Sequence, residues 1–218
     1  MSTPPQSSIM VNGRPLSIKK EQHKTLSSEP VRDEDRLITT AFHAIAIAIP
    51  ARLKIFTSKE VKIKISAPGD LLSNFRSVVK SNVLIVDCPL KIIERDQNIQ
   101  IEIHCPPVRS INLDGVQEAE IIDLIGSSLH LDVVGESKVL LSGKASKTTA
   151  NITGKCTING ANFISETLHL YCSGDNSCQF FSDESAVLHL IGMNNINISG
   201  DPGHQHVHQT GGGHTNFT

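Results

Sequence analysis

Apolar and polar residues alternate along most of this chain, beginning near residue 37. In "FHAIAIAIP" Ile45, Ile47 and Ile49 share one face, and in "ARLKIF" Leu53 and Ile55 do the same. In "EVKIKISAP" Val61, Ile63 and Ile65 face one way and Lys62 and Lys64 the other; "SNVLIVDC" and "QNIQIEIHC" follow suit. Short runs of period two that end at Pro, Gly, Asp or Asn predict half-buried β-strands. Only "GDLLSNFRSVVK", 69–80, has a helical flavour, and it is read as a turn followed by a short irregular or strand element.

After residue 110 a longer period joins the short one. Gly115, Gly135, Gly154, Gly174 and Gly192 are separated by 20, 19, 20 and 18 residues. Two residues before the last four stand Val133, Ile152, Cys172 and Leu190, and four residues after them Val139, Ile158, Cys178 and Ile196. Six residues after them stand Leu141, Gly160, Phe180 and Ile198. Positions that differ by two share a strand face, so these columns point to one core. A repeat near 20 residues predicts an all-β solenoid, β-helix-like, in which one repeat stacks on the next. Gly143, Gly160, Asn194, Asn195 and Gly200 suit its corners. The expected organisation is a polar, partly disordered leader over 1–36, with a candidate edge strand around "VNGRPLSIKKE". An N-terminal β lobe over 37–110, a C-terminal solenoid lobe over 111–210 and a tail over 211–218 follow.

The triplet Leu-His-Leu occurs at 129–131, 168–170 and 188–190. Alternation turns the leucines inward and His130, His169 and His189 outward. With neighbouring strands about 4.8 Å apart, His169 with His189 is a candidate metal pair. "GHQHVHQTGGGHTNF" adds His204, His206, His208 and His214, and neutral imidazole is a good ligand for zinc, nickel or copper. Alternate positions on one strand lie about 6.5 Å apart, however, so His204, His206 and His208 do not converge on one ion unaided. The expectation is polar cover on a sheet face, with no metal and no cofactor.

Composition narrows the function. The net charge is −2, which gives no pull towards nucleic acid, and aromatic platforms are scarce, with no Trp, one Tyr and seven Phe. Residues 1–109 hold 16 Lys and Arg against 11 acids, whereas 110–218 hold only Lys138, Lys144, Lys147 and Lys155 against 11 acids. Nucleophile elbows, phosphate loops, zinc-protease motifs and dinucleotide fingerprints are missing. The acids Asp123, Asp132, Glu136, Asp175, Asp183 and Glu184 recur in no column and have no arginine among them, which argues against a glycan-cleaving site. Five cysteines cannot all pair, and Cys172 and Cys178 can pair only where the fold brings them together. No secretory signal is visible, and "AFHAIAIAIPA" is too short to span a bilayer. The sequons at Asn151, Asn197 and Asn216 matter only on a secretory route.

The order of segments carries a resemblance. "FHAIAIAIPARLKIF", "VKIKISAPGDLLSNFRSVVKSNVLIV" and "IQIEIHCPPVRSINLDGV" come first. "LHLDVVGESKVLLSGKASKTTANITGKCTINGANF", "LHLYCSG" and "LHLIGMNNINISGDP" follow. Over roughly 38–210 the chain resembles the bacterial family described as putative auto-transporter adhesin, head GIN domain. The resemblance implies a right-handed, solenoid-like all-β fold in two stacked lobes and an envelope or cell-surface location, and it brings no site residues. Together these readings predict a non-enzymatic, adhesin-like binding or structural module that presents a repetitive face to a protein or glycan. The alternatives are an intracellular scaffold that oligomerises through open ends or edges, and a glycan-acting β-helix enzyme.

Overall fold

The structure, a computed structural model, describes residues 9–11, 14–16, 23–24, 29–89, 91–92, 98–116 and 118–218. Most of the leader expected over 1–36 lies outside them. Alternation becomes strand almost wherever it was read. The main elements are β4 (Val31–Arg36), β5 (Ala44–Ala48), β6 (Arg52–Thr57), β7 (Lys62–Pro68), β8 (Arg76–Lys80) and β9 (Val83–Asp87). After them come β11 (Gln100–Cys105), β12 (Ser110–Asp114), β13 (Glu118–Ser199), β14 (His204–Thr210) and β15 (Gly213–Phe217). Short strands β1 (Ile9–Val11) and β2 (Arg14–Leu16) pair with each other, as do β3 (His23–Lys24) and β10 (Lys91–Ile92). The stretch 69–80 is one helical turn, α1 (Gly69–Leu72), which buries Leu71 and Leu72, followed by β8.

The expected right-handed β-solenoid in two stacked lobes, β-helix-like, is overturned. The main strands form one eleven-stranded sheet of mixed order, β4-β7-β11-β6-β13-β12-β5-β9-β8, nearly closed as a barrel, with β14 and β15 also paired to β13. Stacked repeats need parallel neighbours throughout, but β4 runs antiparallel to β7, β7 to β11 and β8 to β9. The physical reason is that a period of two is the same in parallel and antiparallel ladders, so alternation does not reveal strand direction.

The longer period survives as register. Ser110 lies beside His130 where β12 meets β13, Ser185 beside His204 where β14 meets it, and Asn194 beside Gly213 where β15 does. A straight strand of 82 residues would run about 270 Å; β13 instead turns back alongside itself. Gly135, Gly154, Gly174, Gly192 and Gly211 all have positive φ, between 96° and 118°. A Cβ on Gly154, Gly174, Gly192 or Gly211 would land on the carbonyl oxygen of the glycine before it in that series. Successive passes of the chain therefore meet backbone to backbone at these glycines.

The main core runs from Ile45 to Ile198, with Phe163 and Phe180 its largest fully buried side chains, and a small second cluster of Ala44, Ala46, Val83 and Ile85 lies on the other face of β5 and β9. Inside the main core lies a file of polar groups two residues after the glycines: Ser137, Cys156, Asn176 and Asn194. Ser137 Oγ donates to the Val116 carbonyl, Asn176 Oδ1 accepts the Cys156 N–H at 3.0 Å, and Asn176 Nδ2 donates to Asn194 Oδ1 at 2.9 Å. Buried polar groups persist only when paired, and here the Ser137, Cys156 and Asn176 bonds run to neighbouring passes of chain.

Candidate functional site

The Leu-His-Leu triplets divide as alternation requires. Leu129, Leu131, Leu168, Leu170, Leu188 and Leu190 are buried, and His130, His169 and His189 between them are half-buried on the outer side. Three residues before the glycines, on that same outer side, stand Asn112, Asp132, Asn151, Tyr171, His189 and His208. Because the glycines stack, these six form a single file across the sheet. Asn112 is in register with Asp132 and His189 with His208. Asn151 Nδ2 donates to Asp132 Oδ1 at 2.6 Å, and His130 Nε2 lies 3.1 Å from the same oxygen. The Tyr171 ring stacks on His189 with centroids 5.0 Å apart and planes 5° from parallel. His189 then meets His208 at 6.1 Å and His206 at 6.4 Å between ring centres.

The file is covered at one end and open at the other. Asn112 is nearly buried, whereas Tyr171 is 41% exposed and its neighbour Ile191 59%. β14 is exposed for most of its length, so His204, His206 and His208 stand at the open end. The candidate pair His169 and His189 belongs to two adjoining files, since His169 is five residues before its glycine and His189 three. His214 sits on β15 beside Asn195, away from the other histidines of the tail. Among the described residues, no group of three or more His, Cys, Asp or Glu is placed to hold a metal ion. The structure directs His206 and His208 towards His189, the first edge-on and the second tilted.

Titration follows the same contacts. The hydrogen bond to Asp132 raises the His130 pKa above its ordinary 6.5, against an opposing effect of partial burial. Burial pushes the Asp132 carboxyl up, but the hydrogen bonds from His130 and Asn151 outweigh it and hold it below 3.8. Partial burial, Lys147 and His189 lower the pKa of His169. A raised imidazole value gives stability that is complete below pH 6.5 and lost as pH rises through the folded value. A lowered carboxyl value gives stability that is present above pH 3.8 and lost as pH falls through the folded value. The pair therefore stabilises the fold most between these two limits. NMR titration is expected to give His130 a midpoint above 6.5 in the native protein and a lower one in Asp132→Asn. An unchanged midpoint would mean that the two groups do not interact.

The other acids do not assemble into a site. Asp123 sits exposed at a corner with φ 54°, and Asp175, Asp183 and Glu184 are exposed. Elsewhere, β4, β7, β6 and β13 carry charges that pair across strands: Lys64 with Asp33 at 2.6 Å, Lys54 with Glu120 at 3.1 Å and Arg52 with Glu118 at 3.4 Å. Lys64 and the Lys54–Glu120 and Arg52–Glu118 pairs border a shallow cavity of about 360 Å³. Exposed pairs of this kind are worth little energetically and leave a largely self-neutralised surface.

Sequence reasoning saw the histidines but missed Asp132, Asn151 and Tyr171 as members of one file. The signal was present as a constant offset of three from each glycine. It was hidden because the six side chains share no chemistry that a motif would capture.

A family model described as "Putative auto-transporter adhesin, head GIN domain" matches residues 41–202. No curated protein matches the chain in sequence. A structure of a putative adhesin from Bacteroides fragilis NCTC 9343 is similar, with a TM-score of 0.66 and 17% identity, covering 88% of this chain and 98% of its own. A structure of a putative adhesin from Parabacteroides distasonis ATCC 8503 has a TM-score of 0.61 and 10% identity, covering 87% of this chain and 97% of its own. At such identities the likeness is one of fold. No helix among the described residues is long and apolar enough to cross a membrane.

Proposed function

Because the chain belongs to the family described as putative auto-transporter adhesin, head GIN domain, we propose that it is a non-enzymatic binding module of the cell surface or envelope. Its contact face is the outer file Asp132, Asn151, Tyr171, His189 and His208. The observation that carries this reading is the ordered outer row, half-buried at Asp132, Asn151 and His189 and exposed at Tyr171 and His208, in which Asn151 bonds Asp132 and Tyr171 stacks on His189. Asp132 and Asn151 fix each other, as do Tyr171 and His189, so these polar tips are held at strand spacing with less rotamer freedom left to lose on binding. A row of hydroxyl, amide and imidazole groups with a single carboxylate suits a hydroxyl-rich partner, and a glycan chain fits best. The histidines act here by stacking and hydrogen bonding, not as metal ligands.

The test is a glycan array probed with the full chain, its Tyr171→Ala variant and its His189→Ala variant. Loss of one such contact is worth about 1–2 kcal/mol, so each variant is expected to bind roughly tenfold more weakly. Wild-type protein that binds no glycan, or binding that both substitutions leave unchanged, would sink the assignment. A second reading, a scaffold that assembles through its edge, has one supporting observation. β14 pairs with β13 on one side, and no other strand pairs with it among the described residues. A stable oligomer with no glycan affinity would favour that reading.

A further inference from the structure

We propose that Cys172 and Cys178 are a disulfide site, closed when the folding chain meets a thiol–disulfide oxidant. The two residues flank the corner at Gly174, two before it and four after it. At the same offsets the other passes place Val133 with Val139, Ile152 with Ile158 and Leu190 with Ile196, all buried. Only at this corner are both aliphatic partners replaced by thiols. Their sulfurs lie 3.9 Å apart, both inside the core. Closing to a bond of about 2.05 Å needs each sulfur to move by about 1 Å, within reach of a side-chain rotation.

The neighbouring thiol is otherwise engaged, since Cys156 Sγ lies 3.3 Å from the Gly135 carbonyl oxygen. In the folded protein both thiols are shut away, and the Cys178 pKa is pushed well up, first by its hydrogen bond to Cys172 and then by burial. The bond therefore forms while the corner is still open to solvent. One thiolate attacks the oxidant's disulfide and makes a mixed disulfide; the second thiolate then displaces the oxidant's remaining sulfur. Two S–H bonds are lost, one S–S bond is gained, and the oxidant leaves as two thiols carrying the two electrons. The product pins the backbone directly beneath Tyr171.

The experiment uses the full chain, unfolded and refolded with oxidised glutathione or with excess reductant, then alkylated in denaturant. A protease that cuts after glutamate releases residues 167–184, which hold both cysteines. After oxidative refolding this fragment is expected to be two hydrogens lighter than its reduced form and to carry no alkyl group. Cys88, Cys105 and Cys156 are expected to be alkylated. The oxidised protein is expected to melt higher than the reduced one, a difference that vanishes in Cys172→Ala and in Cys178→Ala. Two alkyl groups on fragment 167–184 after oxidative refolding, or a bond from either cysteine to Cys156, would overturn the proposal. The mass readout is made on the wild-type chain, so it does not depend on the folding of a variant.

Discussion

Gly154→Ala is expected to lower the thermal midpoint by roughly 4–20 °C, a large effect for a single methyl group. Two costs add. Gly154 has φ +118°, a conformation that L-residues with a side chain rarely adopt. Its Cβ would also land on the carbonyl oxygen of Gly135, which belongs to backbone and cannot swing aside. Left-handed backbone costs roughly 1–2 kcal/mol and overpacking roughly 1–3 kcal/mol, together about 2–5 kcal/mol. In a domain of this size each kcal/mol moves the midpoint by roughly 2–4 °C. Gly203→Ala is the control, because a Cβ there would meet only the Glu184 carbonyl oxygen at 4.0 Å and no positive φ opposes it. Thermal melts by circular dichroism should show Gly203→Ala within about 2 °C of wild type. If Gly154→Ala melts there as well, the passes of β13 are not in close contact.

Asn176→Ala is expected to cost about 2–6 kcal/mol, read as a fall in the urea midpoint with the slope unchanged. Asn176 is 1% exposed and serves two neighbours. Its oxygen accepts the Cys156 N–H at 3.0 Å and its amide donates to Asn194 Oδ1 at 2.9 Å. Asn194 in turn donates to the Ile191 carbonyl at 2.9 Å. Alanine removes both bonds and orphans a backbone donor and an amide oxygen inside the core, each at about 1–3 kcal/mol. Because the file is connected, Asn176→Ala and Asn194→Ala should not be additive when combined. Asn159 is the control: it is exposed and its oxygen accepts only the local Ala161 N–H at 3.2 Å. Its alanine variant should lose less than about 1 kcal/mol. Equal losses at Asn159 and Asn176 would mean that the buried file contributes nothing special.

These two residues also show how unevenly the fold can be read along the chain. The glycine spacing located Gly154 and the apolar columns around it, because a close approach that admits no Cβ leaves a mark at each pass. Asn176 left no such mark. Its file reads Ser137, Cys156, Asn176, Asn194, and hydropathy scores that mixture as an ordinary surface position. The candidate site behaves alike: His189 and His208 stand out in the sequence as histidines, but Tyr171 becomes their neighbour only because Gly192 rests on Gly174.

By itself the sequence determined most of the strands from residue 37 onward and which of their sides is apolar; β4, at 31–36 in the expected leader, has no alternation and was missed. Strands and sides alike follow from alternation, a local property carried by neighbouring residues. It also determined the register step of nearly 20 residues, because the glycines recur at that interval. The tertiary structure alone decided strand direction, and with it the mixed sheet that replaced the expected solenoid. β4, β7 and β8 look the same in sequence whether they run with or against their neighbours. It alone decided that Cys172 meets Cys178 and that Asp132, Asn151, Tyr171, His189 and His208 share a face. These are contacts between residues far apart in the chain or across a corner, and they depend on how loops close and which backbones meet. No pattern within one strand encodes them.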